Sequence, residues 1–488
     1  MGHVDWDDSK QLEADVDVDL DVDAEFGGPA ARRALERRLL RKVDRRMAIL
    51  VLIYILNFID RNNASAARLR GFEENLGLHG QQFATILAGL YVGYISMQIP
   101  SNMFMNHIGK PSLYLPGCMS IWGLLSIMTG KFSLRHYHDV LLTRFVLGIV
   151  EASFFPGALF LLSRWYTRTE LGLRMALLSC GSLLSNAFGA LLASALLDRM
   201  DGVYGRAAWR WLFFAEGSLT VLVALAAALV LPDFPETARP RWLTAAELRL
   251  AVHRMQADAL NAAEGCGAHD DAGALHGLWL ALGDPNAWIL VAAMFSQIVG
   301  TAFTMWFPTI VATLGYNHTV TLLLCAPPYV LTTVVAFYVS RHSDAKGERF
   351  YHVSVPLWVG ILGLCIAMST TNTTTRYISL FLMMQACAGF AVFYGWMSNC
   401  FPSPPAKRAV ALALINAVSQ LGNIVAAYVF QSAWGPRYTP SFVICIVACL
   451  ASIACCYALR RRLAAMNAAL RCAELELGES KAGFRYLL

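Results

Sequence analysis

Long apolar runs separated by short polar breaks dominate the sequence. Twelve of them are about long enough to cross a hydrocarbon core as an α-helix. They fall at approximately 47–69, 83–107, 112–131, 137–165, 171–197, 209–232, 286–312, 319–341, 352–372, 376–400, 406–432 and 438–462. The connections are short except for residues 233–285, a polar segment of 53 residues with an amphipathic stretch near 243–255. The pattern predicts an all-α membrane protein with twelve transmembrane helices in two six-helix bundles. These are an N-terminal bundle (47–232) and a C-terminal bundle (286–462), joined by a central loop (233–285) and flanked by tails 1–46 and 463–488.

Composition sharpens this reading. The 488 residues are 57% hydrophobic and 15% charged, with a mean hydropathy of +0.48. Soluble domains hold about 45–50% apolar and about 25% charged residues, so a soluble multidomain enzyme is excluded. So is a chain disordered along most of its length. The 12 cysteines lie mostly inside apolar runs, with no C-x-x-C and no spaced Cys/His set. They read as small buried apolar residues, and no metal site, disulfide framework or cofactor is expected.

Charge gives the orientation. Residues 1–25 carry ten acids, including Asp15-x-Asp17-x-Asp19-x-Asp21-x-Asp23, and lack the basic-then-apolar opening of a signal peptide. Counted from Asp15, positions six and twelve hold Leu20 and Phe26, where a calcium loop needs Gly and Glu. This segment reads as a solvated tail. Eight basic residues against two acids then follow between Ala30 and Met47, a basic juxtamembrane helix. With the N-terminus inside, 28 of the 39 Lys and Arg fall on the cytoplasmic side and nine outside. Both termini are therefore expected in the cytoplasm, with the plasma membrane as location.

Four charges stay well inside predicted spans: Asp60, Arg61, Arg144 and Glu151. Glu216 lies nearer the outer end of the sixth. Each charge at a helix centre costs about 2.5–3.5 kcal/mol on insertion scales, so the four should face the protein interior. Arg144 and Glu151 are two helical turns apart and share one face; Asp60 and Arg61 diverge by about 100°. Desolvation favours a neutral carboxyl and a nearby arginine favours the anion, the opposition a proton-coupling site needs. An arginine offers a planar fork to a carboxylate. The competing reading is a structural salt bridge closing one face of a bundle. Asn57, Asn62, Asn63, Tyr91, Tyr94 and Gln98 surround the four, with Pro100 expected to kink the second span. Gly148, Gly157, Gly181 and Gly189 read as helix contacts. Gln297, Tyr394, Asn416, Gln420 and Asn423 are polar positions in the second half, suited to helix-to-helix hydrogen bonds or ligand contacts. No G-x-S-x-G, H-E-x-x-H or G-x-x-x-x-G-K-[ST] occurs, so neither a hydrolase nor an ATP-driven pump is signalled.

The halves echo one another. Asn106-His107-Ile108-Gly109-Lys110 follows the second span and Asp344-Ala345-Lys346-Gly347-Glu348-Arg349 the eighth. Both place a polar residue three before a glycine, then a basic residue, in a cytoplasmic loop. This suggests a parallel repeat, as in secondary transporters.

Ordered passages resemble the major facilitator superfamily, and within it the fungal anion:cation symporters that include allantoate and nicotinate permeases. They cover roughly 40–460. Those passages are Leu56-Asn57-Phe58-Ile59-Asp60-Arg61-Asn62, Gln98-Ile99-Pro100-Ser101-Asn102 with Gly109-Lys110-Pro111, and Arg144-Phe145-x-x-Gly148-x-x-Glu151-Ala152-x-Phe154-Phe155-Pro156-Gly157. Trp209-Arg210-Trp211-Leu212-Phe213-Phe214-x-Glu216-Gly217, Leu231-Pro232-Asp233-Phe234-Pro235-Glu236-Thr237, Pro308-Thr309-Ile310-Val311 with Leu314-Gly315-Tyr316, and Pro327-Pro328-Tyr329 complete the set. The first- and fourth-span pattern is also similar to bacterial sugar-acid symporters and vesicular organic-anion transporters. The resemblance implies proton carriage at Asp60 and Glu151, and substrate or gate contacts at Arg61 and Arg144. Asn106-His107 departs from the acid-then-base pattern of the family's loop, while Asp344 keeps the acid. The expectation is a monomeric, proton-coupled importer of a small organic anion, nicotinate-like or allantoate-like, that is not an enzyme and binds no nucleic acid. The expected substrate contacts are Arg61, Arg144, Tyr94, Gln297, Tyr394 and Asn416, and the expected gating loops use Asn106, Gly109, Asp344 and Arg349. A metabolite exporter and a transporter-like sensor are the alternatives.

Overall fold

The computed structural model describes residues 26–131, 136–235, 242–264, 279–401, 405–477 and 485–487; among these there are helices and no strand. The basic juxtamembrane helix and the first span form one helix, α1 (Pro29–Ala67), with Leu39, Val43, Met47 and Leu50 buried along one stripe. Then come α2 (Gln82–Ile108), α3 (Pro111–Lys131), α4 (Tyr137–Glu151), α5 (Phe154–Ser163), α6 (Arg168–Arg199) and α7 (Ala208–Val230). The central segment carries α8 (Ala245–Glu264). Beyond it lie α9 (Pro285–Gly300), α10 (Phe307–Ala312), α11 (His318–Lys346), α12 (Phe350–Ser369), α13 (Thr373–Met384), α14 (Phe390–Asn399), α15 (Pro405–Ser419), α16 (Leu421–Val429) and α17 (Thr439–Leu477). Nine helical stretches among the described residues are long and apolar enough to cross a membrane.

Four of these stretches, Tyr137–Ser163, Pro285–Thr304, Thr373–Asn399 and Val410–Val429, hold or border a local helix break. The fourth run breaks directly after Glu151, between α4 and α5. Pro156 lacks an N–H and its ring opposes the carbonyl four residues back, at Ala152. Pro308 acts in the same way on Thr304 and separates α9 from α10. The tenth and eleventh runs break near Gln385–Cys387 and at Gln420, where no proline stands. Pro100 lies inside an α2 that runs unbroken from Gln82 to Ile108.

The main helix pairs join elements distant in the chain as well as neighbours. α1 packs on α6 and α7, α2 on α4, and α3 on α7; later, α9 packs on α17 and α12 on α13. Early helices also meet late ones among the described residues, α6 with α11, α2 with α16 and α1 with α10. The α2–α4 crossing depends on glycine. A Cβ on Gly148 would stand 1.9 Å from the Leu90 carbonyl oxygen, and one on Gly93 would stand 2.1 Å from that of Phe145. Gly181 and Gly189, read from sequence as close contacts, make ordinary ones at 3.5 Å.

α8 docks on the N-terminal extension of α1 through Glu247, Leu250, Ala251 and Arg254, the buried face of its 3.6-residue period. Thr244 and Glu247 form a capping box, with the Thr244 N–H donating to Glu247 Oε2 at 2.8 Å. Lys42 Nζ donates to the same carboxylate at 2.7 Å. Burial alone would raise the pKa of Glu247, but the bonds from Lys42 and Thr244 outweigh it and hold the carboxyl below its ordinary value. Arg254 pairs with Glu36 of α1 at 2.8 Å and with Glu170 of α6 at 2.6 Å, adding α6 to the same contact.

The two echoing loops close their helices alike. Gly109 caps α2 at φ 66° and Gly347 caps α11 at φ 66°, the left-handed conformation glycine tolerates best. Arg349 Nη1 donates to Asp344 Oδ1 at 2.6 Å. Asn106 is on the last turn of α2, and its side chain lies outside the described residues.

Candidate functional site: a cavity with one deep arginine

A cavity of about 560 Å³ lies between early and late helices. Tyr54, Asn57, Phe58, Arg61 and Asn62 of α1 line it, with Tyr91 and Tyr94 of α2. Across from them stand Met294, Ile298, Tyr329, Tyr394, Asn416, Gln420 and Asn423. The charged lining residues are Arg61, Arg341 and Asp344. The last two sit at the C-terminal end of α11, so among the described residues Arg61 is the only deep charge in the lining.

Arg61 connects the cavity to a buried acid. Its Nε and Nη2 both donate to Glu151 Oε2, at 3.0 and 2.9 Å. Glu151 has 0% exposure, and its Oε1 has no hydrogen-bond partner. The guanidinium carbon lies 4.8 Å from the Tyr94 ring centroid and 5.0 Å from that of Phe58. These faces attract a cation while leaving its in-plane donors free. The break after Glu151 ends α4 at the residue that meets Arg61.

Asp60 and Arg144 lie behind this pair and not in the cavity lining. Asp60 accepts from Ser126 Oγ at 3.3 Å and from Thr220 Oγ1 at 3.0 Å. Arg144 donates to Asn63 Oδ1 at 2.6 Å and to the Asp60 backbone carbonyl at 3.3 Å. The four charges expected inside spans are therefore together in space, but the ion pair joins Arg61 to Glu151, while Arg144 holds the α1 backbone and an amide. Of the expected substrate contacts, Arg61, Tyr94, Tyr394 and Asn416 line the cavity; Arg144 and Gln297 do not. Gln297 is fully buried with both amide atoms unpaired.

Sequence reasoning passed over two features. Glu216, set aside as nearer a span end, is 2% exposed. It lines a second small pocket of about 40 Å³ with Asn62 and Asn63. Counting its eight residues into α7 was the available signal. Asn186 of α6 accepts a hydrogen bond from Asn62 at 2.8 Å; nothing in its sequence neighbourhood marked it.

Contacts between early and late helices gather at one end of the cavity. Ser65 Oγ donates to the Met305 carbonyl at 2.6 Å, Ser194 to that of Thr319 at 3.1 Å, and Tyr428 to Thr85 at 3.0 Å. Arg68 pairs with Glu73 at 3.0 Å, donates to Ser432 at 3.1 Å and stacks 4.8 Å from the Trp306 ring. The opposite end carries Arg341 and Asp344.

Comparison with known proteins agrees with this architecture. Residues 50–427 match the model of the Major Facilitator Superfamily. The chain is 29% identical over 422 residues to MFS-type transporter cnsO of Penicillium expansum, covering 84% of this chain and 80% of that one. It is also 29% identical over 394 residues to a putative tartrate transporter of Agrobacterium vitis, covering 80% of this chain and 87% of that one. Among solved structures it resembles a bacterial homologue of the human lysosomal transporter Spinster, inward-facing and unoccupied. The TM-score is 0.65 at 18% identity, over 86% of this chain and 97% of that one. That likeness is one of fold.

Proposed function

The chain belongs to the Major Facilitator Superfamily, and on that premise we propose that it is a proton-coupled carrier that imports a small organic anion by alternating access. In this reading all twelve runs cross the membrane as two six-helix bundles. The bundles span 47–232 and 286–462, with the central loop and both termini in the cytoplasm. The Arg341–Asp344 end of the cavity then faces the cytoplasm and the Arg68 end is the closed outer gate, so the structure is inward-open.

The carrying observation is Arg61. Among the described residues it is the only deep charge lining the cavity, and its Nε and Nη2 both donate to Glu151. A substrate carboxylate fits the guanidinium fork but competes with Glu151 for it. Protonating Glu151 weakens that competitor, so proton and anion each favour the binding of the other, the reciprocity coupled transport requires. The aromatic walls from Tyr54, Phe58, Tyr91, Tyr94 and Tyr394 suit a flat, partly apolar anion, for which nicotinate is the simplest example. A relative named as a putative tartrate transporter supports the anionic class. Asp60 is the second proton-coupling candidate, and Arg144 a gate or positioning residue that holds α1 to α4. Asp344 and Arg349 brace the cytoplasmic loop.

The test is uptake of labelled nicotinate and of labelled tartrate into cells or proteoliposomes under an imposed inward proton gradient. Accumulation that collapses with the gradient supports the proposal. Movement outward only would replace import with export.

A further inference from the structure

We propose that Glu216 is a proton-carrying residue, loaded and unloaded through the small pocket behind the Asn62–Asn186 pair. The transport consequence rests on the proton-coupled reading above; the proton site itself does not.

The first argument is a charge count. Three carboxylates, Asp60, Glu151 and Glu216, lie in the core of the early helices at 1%, 0% and 2% exposure. Two guanidiniums, Arg61 and Arg144, face them. With every group ionised the cluster carries one uncompensated negative charge away from water. A buried unpaired charge neutralises itself rather than bear that desolvation cost, so one proton belongs to the set.

The second argument places it. Glu151 is paired with Arg61 at 2.9 and 3.0 Å. Asp60 accepts from two hydroxyls, those of Ser126 and Thr220. Glu216 Oε2 is buried with no hydrogen-bond partner. Of the three it has the least support as an anion, and it is the acid that keeps the proton. Glu216 and Thr220 are one turn apart on α7, so their side chains project about 5–6 Å from each other. That brings the acid next to Asp60, whose Oδ2 Thr220 holds. The groups facing it are Asp60 and the Asn63 amide of α1, Arg144 of α4, and Cys325 and Tyr329 of α11 across the pocket. Arg61 and Glu151 lie beyond Arg144.

The third argument is access. The pocket beside Glu216 has a volume of about 40 Å³ and a mainly apolar wall, into which Asn62, Asn63, Ser185 and Glu216 bring polar groups; a void of roughly 10–15 Å³ or more with two to four polar partners admits a water molecule. Asn62, Asn186, Thr304 and Tyr329 line both this pocket and the large cavity. The Asn62–Asn186 hydrogen bond of 2.8 Å is the partition between them. A proton from a hydronium ion in the cavity passes this partition to Glu216 Oε2, leaving water behind and taking the cluster from −1 to neutral. Discharge returns it to water by the same route when the cavity faces the other side.

Infrared difference spectroscopy of the purified full-length protein in lipid tests this without a transported ligand. The wild type should show a carboxylic-acid C=O stretch near neutral pH that moves in heavy water. Glu216→Gln should lose it, and Glu216→Asp should move it. Loss in Asp60→Asn with retention in Glu216→Gln, or no such band in the wild type, overturns the proposal. Should Glu216→Gln not fold, Glu216→Asp must move the band, and an unmoved band overturns the assignment. In proteoliposomes, Glu216→Gln should abolish gradient-driven nicotinate accumulation and leave exchange. A lost band with unchanged accumulation refutes carriage while leaving the proposed function intact. A Glu216 band in a protein that accumulates no anion supports the site and removes the proposed function.

Discussion

Replacing Glu151 by glutamine tests the competition at Arg61 most directly. In the wild type an incoming carboxylate that takes the Nε–Nη2 edge of Arg61 must displace Glu151 Oε2, which receives two N–H donors at 2.9 and 3.0 Å. Hydrogen bonds to charged groups contribute about 1.5–3 kcal/mol each, roughly twice the neutral value. Glutamine keeps an acceptor of similar shape and removes the charge, so freeing Arg61 becomes easier by about 1–2 kcal/mol. That corresponds to anion binding about 5- to 30-fold tighter. The gain in affinity comes with a loss of coupling: proton-driven accumulation should disappear while exchange persists.

The assay is a nicotinate and tartrate titration of purified wild type and Glu151→Gln across neutral and acidic pH. Wild-type affinity should improve as the pH falls, because protonation does what the substitution does; the variant should have lost that dependence. Its melting midpoint is measured alongside, since breaking a buried pair costs up to about 3–5 kcal/mol. Weaker anion binding in Glu151→Gln, or affinity with the wild-type pH dependence, would refute the competition.

The other predictions concern neighbouring parts of the scaffold. Arg61→Lys should weaken anion binding about tenfold or more through loss of the planar fork, whereas Arg144→Lys should lower the melting midpoint and leave affinity nearly unchanged; isothermal titration separates the two. Because Glu247 is held below its ordinary value, the α1–α8 clamp keeps its full strength above the unfolded carboxyl value of about 4.3 and loses it as the pH falls through the folded one. Hydrogen exchange in 245–264, corrected for intrinsic rate, should therefore rise at acid pH, and Glu247→Gln should exchange fast throughout. Gly148→Ala should destabilise by at least about 1–3 kcal/mol through overpacking, because the new Cβ meets the Leu90 backbone. Gly181→Ala should be neutral or gain up to about 1 kcal/mol in helix propensity, read as melting midpoints.

What the sequence made legible follows from what each signal measures. Hydropathy reports burial in lipid, so it located the helices and the polar centre. It cannot see a break that leaves a run apolar, so the interruption between α4 and α5, inside the single stretch Tyr137–Ser163, went unread. Pro156 was visible, but a proline inside a span does not fix its outcome: Pro100 leaves α2 unbroken while Pro156 and Pro308 separate helices. The intramembrane charges were legible because each is too costly to be idle. Their partners were not, since pairing depends on how α1 is turned against α4. Two-turn spacing put Arg144 and Glu151 on one face, yet they serve different neighbours, Asn63 and Arg61.

The same rotation assigns the two acids of the first and fourth spans to different tasks. Arg61 turns toward the cavity and draws Glu151 to its edge, where a substrate can compete for the pair. Asp60, one residue earlier and about 100° around α1, points away to Ser126 and Thr220. It is thereby joined through α7 to Glu216 and to a pocket the substrate does not enter. A proton held there exchanges with the cavity through the Asn62–Asn186 partition without displacing the anion, whereas a proton on Glu151 acts on the anion directly. Adjacent residues on one helix thus separate a site where proton and anion interact from a site where only the proton resides.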